Sequence, residues 1–255
     1  MSTNSDSKLK KLLDLHTPGT VLLASWLEKQ GISRSLQARY RRSGWLASVG
    51  SGAFKRPNEE VTWQGGLRAL QAQAGLQIHP GALTALTLHG FAHYLRLDPS
   101  IVFLFSARGV KLPAWFRKHD WGSALQHVPT SLLPLEVGLV DHEEKTFSIR
   151  LSAPERAMLE CLYLAPQELD LQECFHVMEG LANLRPIVVQ QLLEQCTSIK
   201  VKRLFLYLAE RAGHQWLNFV NLSAVDLGNG VRSLCKGGVH VAKYNLVVPQ
   251  SLAVP

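Results

Sequence analysis

Gly31-Ile32-Ser33-Arg34-Ser35-Leu36-Gln37-Ala38-Arg39-Tyr40-Arg41-Arg42-Ser43-Gly44-Trp45-Leu46-Ala47-Ser48-Val49-Gly50-Ser51-Gly52-Ala53-Phe54-Lys55-Arg56 reads as three pieces. Gly31 ends whatever helix precedes it, and Ser33 is a residue type whose hydroxyl accepts from a free N–H of the next helix. That helix carries Leu36 and Tyr40 four residues apart, so both face inward, and it stops at Gly44. Arg34, Gln37 and Arg41 then share the opposite face, flanked by Ser35, Arg39 and Arg42. Trp45–Val49 and Ala53–Arg56 are two short strands around Gly50-Ser51-Gly52, closed by Pro57, the pattern of a hairpin.

Working backward, Leu9, Leu12, Leu13 and Leu15 recur at helical spacing before the stop at Pro18-Gly19. Thr20 is expected to cap a second helix through Leu23, Ala24, Trp26 and Leu27 to Gly31. Helix, helix, glycine turn, basic helix, hairpin is the order of a winged helix-turn-helix, whose second paired helix enters the major groove of DNA. Arginine suits guanine O6/N7 and glutamine suits adenine, so Arg34, Gln37 and Arg41 are the expected base readers. Ser35, Arg39 and Arg42 flank them, with spare cations for phosphate, and Lys55 and Arg56 at the foot of the hairpin sit where a wing would meet phosphate or the minor groove.

Charge supports this. The chain has 255 residues and a net charge of +7, and residues 1–56 hold ten Lys and Arg against Asp6, Asp14 and Glu28. The entire excess therefore falls in the first fifth of the chain, as a local polyanion-binding surface requires.

Beyond the hairpin, helices are expected at Thr62–Ala74 and Pro80–Leu88, a buried strand at Ile101–Phe105 and a short helix at Pro113–Trp121. A second hairpin is read at Val137–Val140 and Thr146–Leu151, its turn Asp141-His142-Glu143-Glu144-Lys145. A helical block follows at Ala153–Leu164, Leu171–Leu181, Pro186–Gln195 and Ile199–Ala212. Val231–Cys235 and Val239–Ala242 are read as a last hairpin around Lys236-Gly237-Gly238. The expected class is α+β: an N-terminal winged helix-turn-helix domain at 1–95, then a larger mixed α/β domain at 96–255 with a helical block and short β-hairpins.

Residues that suggest chemistry find bland explanations. Cys161, Cys174, Cys196 and Cys235 form no C-x-x-C pair and are expected as buried small hydrophobes. His89 and His93 lie four apart, but Gly90 argues against a helix between them and no glutamate joins them. His119-Asp120 and Asp141-His142-Glu143-Glu144 could suggest metal or acid–base work, but the second group reads as solvated turn charge. No phosphate-loop or nucleophile-elbow motif occurs, so no catalytic residue, metal or cofactor is expected. For Lys200-Val201-Lys202-Arg203 the favoured reading is screening against Glu160, Glu168, Asp170, Glu173 and Glu179, with nucleic-acid contact the alternative. The chain lacks an apolar run long enough to span a membrane and a secretory leader, so a cytoplasmic protein is expected.

The stretch from Gly31-Ile32-Ser33 through Gly44-Trp45-Leu46 to Gly50-Ser51-Gly52-Ala53-Phe54 resembles the N-terminal domain of AbiE-type (AbiEi family) antitoxins. So does Leu151-Ser152-Ala153-Pro154-Glu155-Arg156-Ala157 at the head of a helix. Asp226-Leu227-Gly228-Asn229-Gly230 and, past Gly237-Gly238, Lys243-Tyr244-Asn245-Leu246-Val247-Val248-Pro249 look like the family's C-terminal signature. The resemblance implies a non-enzymatic transcriptional autorepressor on double-stranded DNA, at repeats in its own promoter. It further implies an antitoxin of a type IV toxin–antitoxin, phage-defence system, opposing a nucleotidyltransferase toxin without an obligatory stable complex. The family's DNA-contacting helix maps onto Arg34, Gln37 and Arg41; its antitoxic residues map onto nothing marked by chemistry here. The alternative reading is an ordinary winged-helix repressor whose C-terminal domain binds a ligand or dimerises.

Overall fold

The computed structural model describes residues 3–91 and 101–253. Its elements run α1 (Thr3–Leu15), β1 (Leu22–Leu23), α2 (Ala24–Lys29), α3 (Arg34–Arg42), β2 (Ala47–Gly50), β3 (Ala53–Lys55) and α4 (Trp63–Ala72). Next come β4 (Ile78–Pro80), α5 (Ala82–Leu88), β5 (Ile101–Ser106), α6 (Ala114–Lys118), β6 (Ala124–Pro129), β7 (Leu139–Glu143) and β8 (Ser148–Ser152). The chain ends with α7 (Pro154–Leu164), α8 (Leu171–Gly180), α9 (Pro186–Gln195), α10 (Ile199–Arg211), β9 (Arg232–Ser233), β10 (Val239–Val241) and β11 (Leu246–Val248). The structure is α+β, as its sequence implies.

Two compact units divide the chain, and neither is continuous in sequence. One takes the chain up to His79 together with Gly109–Leu125 and Asp141–Arg150; the other takes Pro80–Arg108, Gln126–Val140 and everything from Leu151. The 1–95/96–255 division and His93 of the histidine pair both fall at residues outside the described ones.

The first unit is a winged helix. Leu12, Leu22, Leu27, Ile32, Tyr40, Leu46 and Phe54 form its core. The sheet has order β1-β3-β2, Leu22 opposite Phe54 and Ala47 opposite Lys55, with a bulge between Ser48 and Gly50. β1 corrects the reading of Thr20 as a helix cap. Leu22 and Leu23 are strand, α2 begins only at Ala24, and the Thr20 hydroxyl donates to Thr17 O at 2.6 Å. A two-residue strand is too short to show alternation, so helical spacing absorbed it.

Later segments complete this unit. Trp115, Phe116 and Trp121 cluster with ring centroids 5.4–6.4 Å apart, edge to face or tilted. A Cβ on Gly50 of the hairpin would come within 2.7 Å of Trp115 Cβ, and one on Gly66 of α4 within 2.7 Å of Trp121. Only glycine lets the cluster seat on both elements. Two glutamines of α4 clasp strand backbone: Gln71 donates to Arg150 O and accepts from Arg150 N, and Gln73 donates to Val21 O and accepts from Leu23 N. Asp141, His142 and Glu143, expected in a turn, are strand β7.

In the second unit α7 is enclosed by α5, α8, α9 and α10, and apart from Pro154 and Tyr163 every residue of it is buried. Three of those buried residues are charged: Glu155, Arg156 and Glu160. Glu160 accepts from Arg156 Nε at 2.8 Å, Ser152 Oγ at 2.7 Å and Ala82 N at 3.1 Å. Arg156 also donates to the carbonyls of Pro134 and Val137. The sequence pattern did not reveal strands β4 and β6.

The last sheet corrects another expectation. β9 and β10 are not a hairpin: β11 lies between them, antiparallel to β10 and parallel to β9. Leu246 and Val248, both fully buried, are the anchor that draws a strand from each side.

Lys200-Val201-Lys202-Arg203 is not a solvated basic face: its cations donate to backbone carbonyls. Arg203 is 1% exposed and donates to the carbonyls of Leu227, Gly228, Gly230 and Asn245. Lys202 donates to Asp226 O and Lys200 to Ala165 O. Cys161, Cys174 and Cys196 are buried, and burial pushes all three thiols up, Cys174 to about 12. Among the described residues no helix is long and apolar enough to cross a membrane.

Burying a large aromatic is worth about 1.5–3 kcal/mol, so losing three approaches the whole stability of a small domain, about 5–15 kcal/mol. Residues 1–95 expressed alone lack Trp115, Phe116 and Trp121 and are expected to lose the cooperative thermal transition of the intact chain. A circular-dichroism melt as sharp and as high as that of the full protein would refute this.

Candidate nucleic-acid interface

α3 begins where expected: Ser33 is extended and its Oγ accepts from Leu36 N at 3.4 Å. It ends at Ser43, and Gly44 follows with φ +73°, the left-handed conformation that closes a helix without steric cost. Leu46 and Tyr40 tie the end of the helix into the core. The hairpin β2–β3 then rises beside α3, and a groove of about 360 Å³ separates them, lined by Arg34, Gln37, Ala38, Arg41, Ser48 and the tip Gly50-Ser51-Gly52.

Of the sequence-predicted residues, Arg34, Ser35, Arg39, Arg41 and Arg42 are exposed. They differ in commitment. Arg34 Nε is 2.6 Å from Glu28 Oε2, an exposed pair that contributes little stability and can be exchanged for phosphate. The Arg41 guanidinium sits over the Phe54 ring at 5.8 Å, which lays it across the groove toward the hairpin. Ser35 Oγ lies 3.0 Å from Ser33 Oγ. Lys55 donates to Glu59 O at 2.8 Å and is half-buried, as is Arg56.

Gln37 is a correction. It does not share the outward face of Arg34 and Arg41: it is 2% exposed, and its Nε2 donates to Ala24 O at 2.9 Å and Ile32 O at 2.8 Å. The reason is the turn. Ile32 presents its carbonyl in the turn between α2 and α3 and Ala24 presents one at the start of α2, and a side chain one turn into α3 is placed to donate to both. A period of 3.6 places residue 37 at the margin of the inward face beside Tyr40, and the hydrogen bonds settle which way it turns. Leu36, expected inward, is only half-buried. Ser48 and Ser51 join the groove from the hairpin, positions that no charge or spacing marked.

The other candidate groups have local partners. His89 is bound at 2.9 Å to Ser152 O, His119 packs on Trp121 at 4.3 Å, and Asp120 Oδ1 accepts from Gly122 N. In the second unit Glu155 accepts two side-chain bonds and one backbone bond from Arg185. Burial opposes its ionisation, yet those bonds outweigh it and hold its carboxyl below the usual range. Among the described residues no group of three His, Cys, Asp or Glu side chains could hold a metal ion.

A family model described as "Transcriptional regulator, AbiEi antitoxin, Type IV TA system" matches residues 100–249, and one for the N-terminal domain of the same antitoxin matches residues 5–97. The crystal structure of the RV2827C protein from Mycobacterium tuberculosis is similar, with a TM-score of 0.59 and 14% identity over 96% of this chain and 91% of that one. At that identity the likeness speaks for the fold. A comparison with curated protein sequences finds no match.

Gln37→Leu keeps the bulk and removes the buried amide that ties Ile32 O to Ala24 O, at a cost of about 1–3 kcal/mol. Urea or thermal unfolding of the intact chain should show that loss. An unchanged midpoint would mean that Gln37 does not hold the turn.

Proposed function

Because the chain belongs to the AbiEi antitoxin family of type IV toxin–antitoxin transcriptional regulators, we propose that it represses its own operon by binding promoter repeats through the first unit. It would also counteract a partner nucleotidyltransferase toxin in the cytoplasm, without an obligatory stable complex and without catalysis of its own.

The observation that carries the DNA-binding half is the exposed arginine face of α3 beside a glycine-tipped hairpin. Arg41 is the best-placed base reader, since the Phe54 ring braces its guanidinium over the groove. Arg39 and Arg42 are exposed on the same helix and suit phosphate. Charge supports the same unit. The chain up to His79 with Gly109–Leu125 and Asp141–Arg150 holds sixteen Lys and Arg against nine Asp and Glu, and the other unit holds eleven of each. All of the net +7 therefore belongs to the winged-helix unit, and a neutral remainder has little long-range pull on DNA.

The antitoxic half rests on family membership alone. The runner-up is a repressor whose second unit binds a ligand. It has one feature in its favour, a cleft of about 340 Å³ lined by His89, Phe91, Val140, Leu184 and Arg185. Co-expression with the neighbouring toxin gene, scored for growth rescue, separates the two: an antitoxin restores growth and an ordinary repressor does not.

Arg41→Ala is expected to weaken binding to the promoter duplex by about 1–3 kcal/mol and to relax preference at one base position. Mobility-shift titrations against single-base variants would read both, and wild-type affinity with wild-type preference would exclude Arg41 from the interface.

A further inference from the structure

The hairpin that should meet the DNA backbone has no cation at its tip, which is Gly50-Ser51-Gly52. The two cations at its foot are half-buried, and Lys55 is spent on Glu59 O. What stands against the tip is α6: Trp115 packs on Gly50 so closely that a Cβ there would come within 2.7 Å of it. Trp115 and Phe116 face inward, which turns Arg117 and Lys118 outward, and Lys111 is exposed just before the helix. None of these three cations has a hydrogen-bond or ion-pair partner among the described residues, unlike Arg34 and Lys55.

Several acidic groups of the same unit gather at the Pro18-Gly19 turn. Glu59 faces His16 and accepts from Gly19 N, and the Asp141–Phe147 hairpin reaches the same turn through Thr146 on Pro18 O and Phe147 against Gly19. Near α6 stands Asp120, whose Oδ1 already holds Gly122 N. Three unpaired cations, two on α6 and one just before it, beside a cation-poor wing form a surface that fits a polyanion.

We propose that Lys111, Arg117 and Lys118 are a second phosphate-contacting arm of the DNA interface, extending it from the hairpin tip along the duplex backbone. The arm rests on the DNA-binding reading and adds to it a part of the footprint that lies sixty residues beyond the hairpin in sequence. It holds phosphate, so it adds affinity and salt dependence and reads no base. The aromatic cluster is what makes it an arm of the hairpin, because Trp115, Phe116 and Trp121 lock α6 against Gly50 and Gly66.

The test uses the intact chain, its own promoter duplex and a random-sequence duplex of equal length, titrated over a range of salt. Each phosphate contact contributes about 0.9 to the slope of log affinity against log salt. The triple variant Lys111→Gln, Arg117→Gln, Lys118→Gln should lower that slope by about two to three units and shorten hydroxyl-radical protection at the flanks. Its preference for promoter over random duplex should stay as it was. Lys111→Arg with Lys118→Arg keeps the charges and should keep the slope. All five changes are at exposed positions, and a thermal melt checks that the fold is intact. A wild-type slope and full-length footprint in the triple variant, alongside weakened binding by Arg41→Ala, would overturn the arm and leave DNA binding standing. A wild-type chain that binds neither duplex would overturn the DNA-binding reading itself, and the arm with it.

Discussion

The carboxylate of Glu160, buried at the centre of the second unit, constrains most of what surrounds it. An ion that far from water is tolerated only with a full set of hydrogen bonds, and removing a partner costs roughly 3–5 kcal/mol. Arg156 on the preceding turn, Ser152 at the end of β8 and the backbone N–H of Ala82 supply them. Each supplier is thereby placed. A Cβ on Gly81 would come within 2.2 Å of the carboxylate, so only glycine brings the start of α5 close enough. Arg156 in turn gathers the carbonyls of Pro134 and Val137 onto the head of α7. Helix, strand end and loop meet at one charge, and Ser152, Glu155 and Arg156 belong to one of the stretches that resemble the family.

The first unit is held by close approach instead of buried charge. Gly50 and Gly66 admit the rings of Trp115, Phe116 and Trp121, while Gln71 and Gln73 close α4 onto strand backbone at Arg150, Val21 and Leu23. These contacts span wide gaps in sequence and make the hairpin a rigid surface. A hairpin of four- and three-residue strands would be marginal on its own. That support is what lets it serve as a wing.

Two polar groups show the same economy turned inward. Arg203 serves four carbonyls in the loops between α10 and β11, and Gln37 ties Ile32 O in the turn before α3 to Ala24 O at the start of α2. Irregular backbone that must be buried needs donors, and a long side chain on the adjoining helix is the nearest source. In sequence both look like surface residues, since a basic or amide side chain on a helix is usually solvated. The count of unmet carbonyls decides otherwise, and that count exists only once the loops are folded.

Sequence alone determined the local grammar of this protein. Ser33 and Gly44 bound α3, the glycine-tipped hairpin follows it, the helical block lies close to its expected limits, and the net charge lies toward the N-terminus. Those features depend on caps, turns and spacing within a few residues, all of which can be read along the chain. Tertiary structure alone decided that Gln37 and Arg203 face inward, that β11 separates β9 from β10, and that α6 completes the winged-helix unit. Each of those depends on groups far apart in sequence. The fit of Trp115 to Gly50, or of Arg203 to the carbonyls of Leu227 and Asn245, leaves no periodic trace, because only the closed chain brings the partners together.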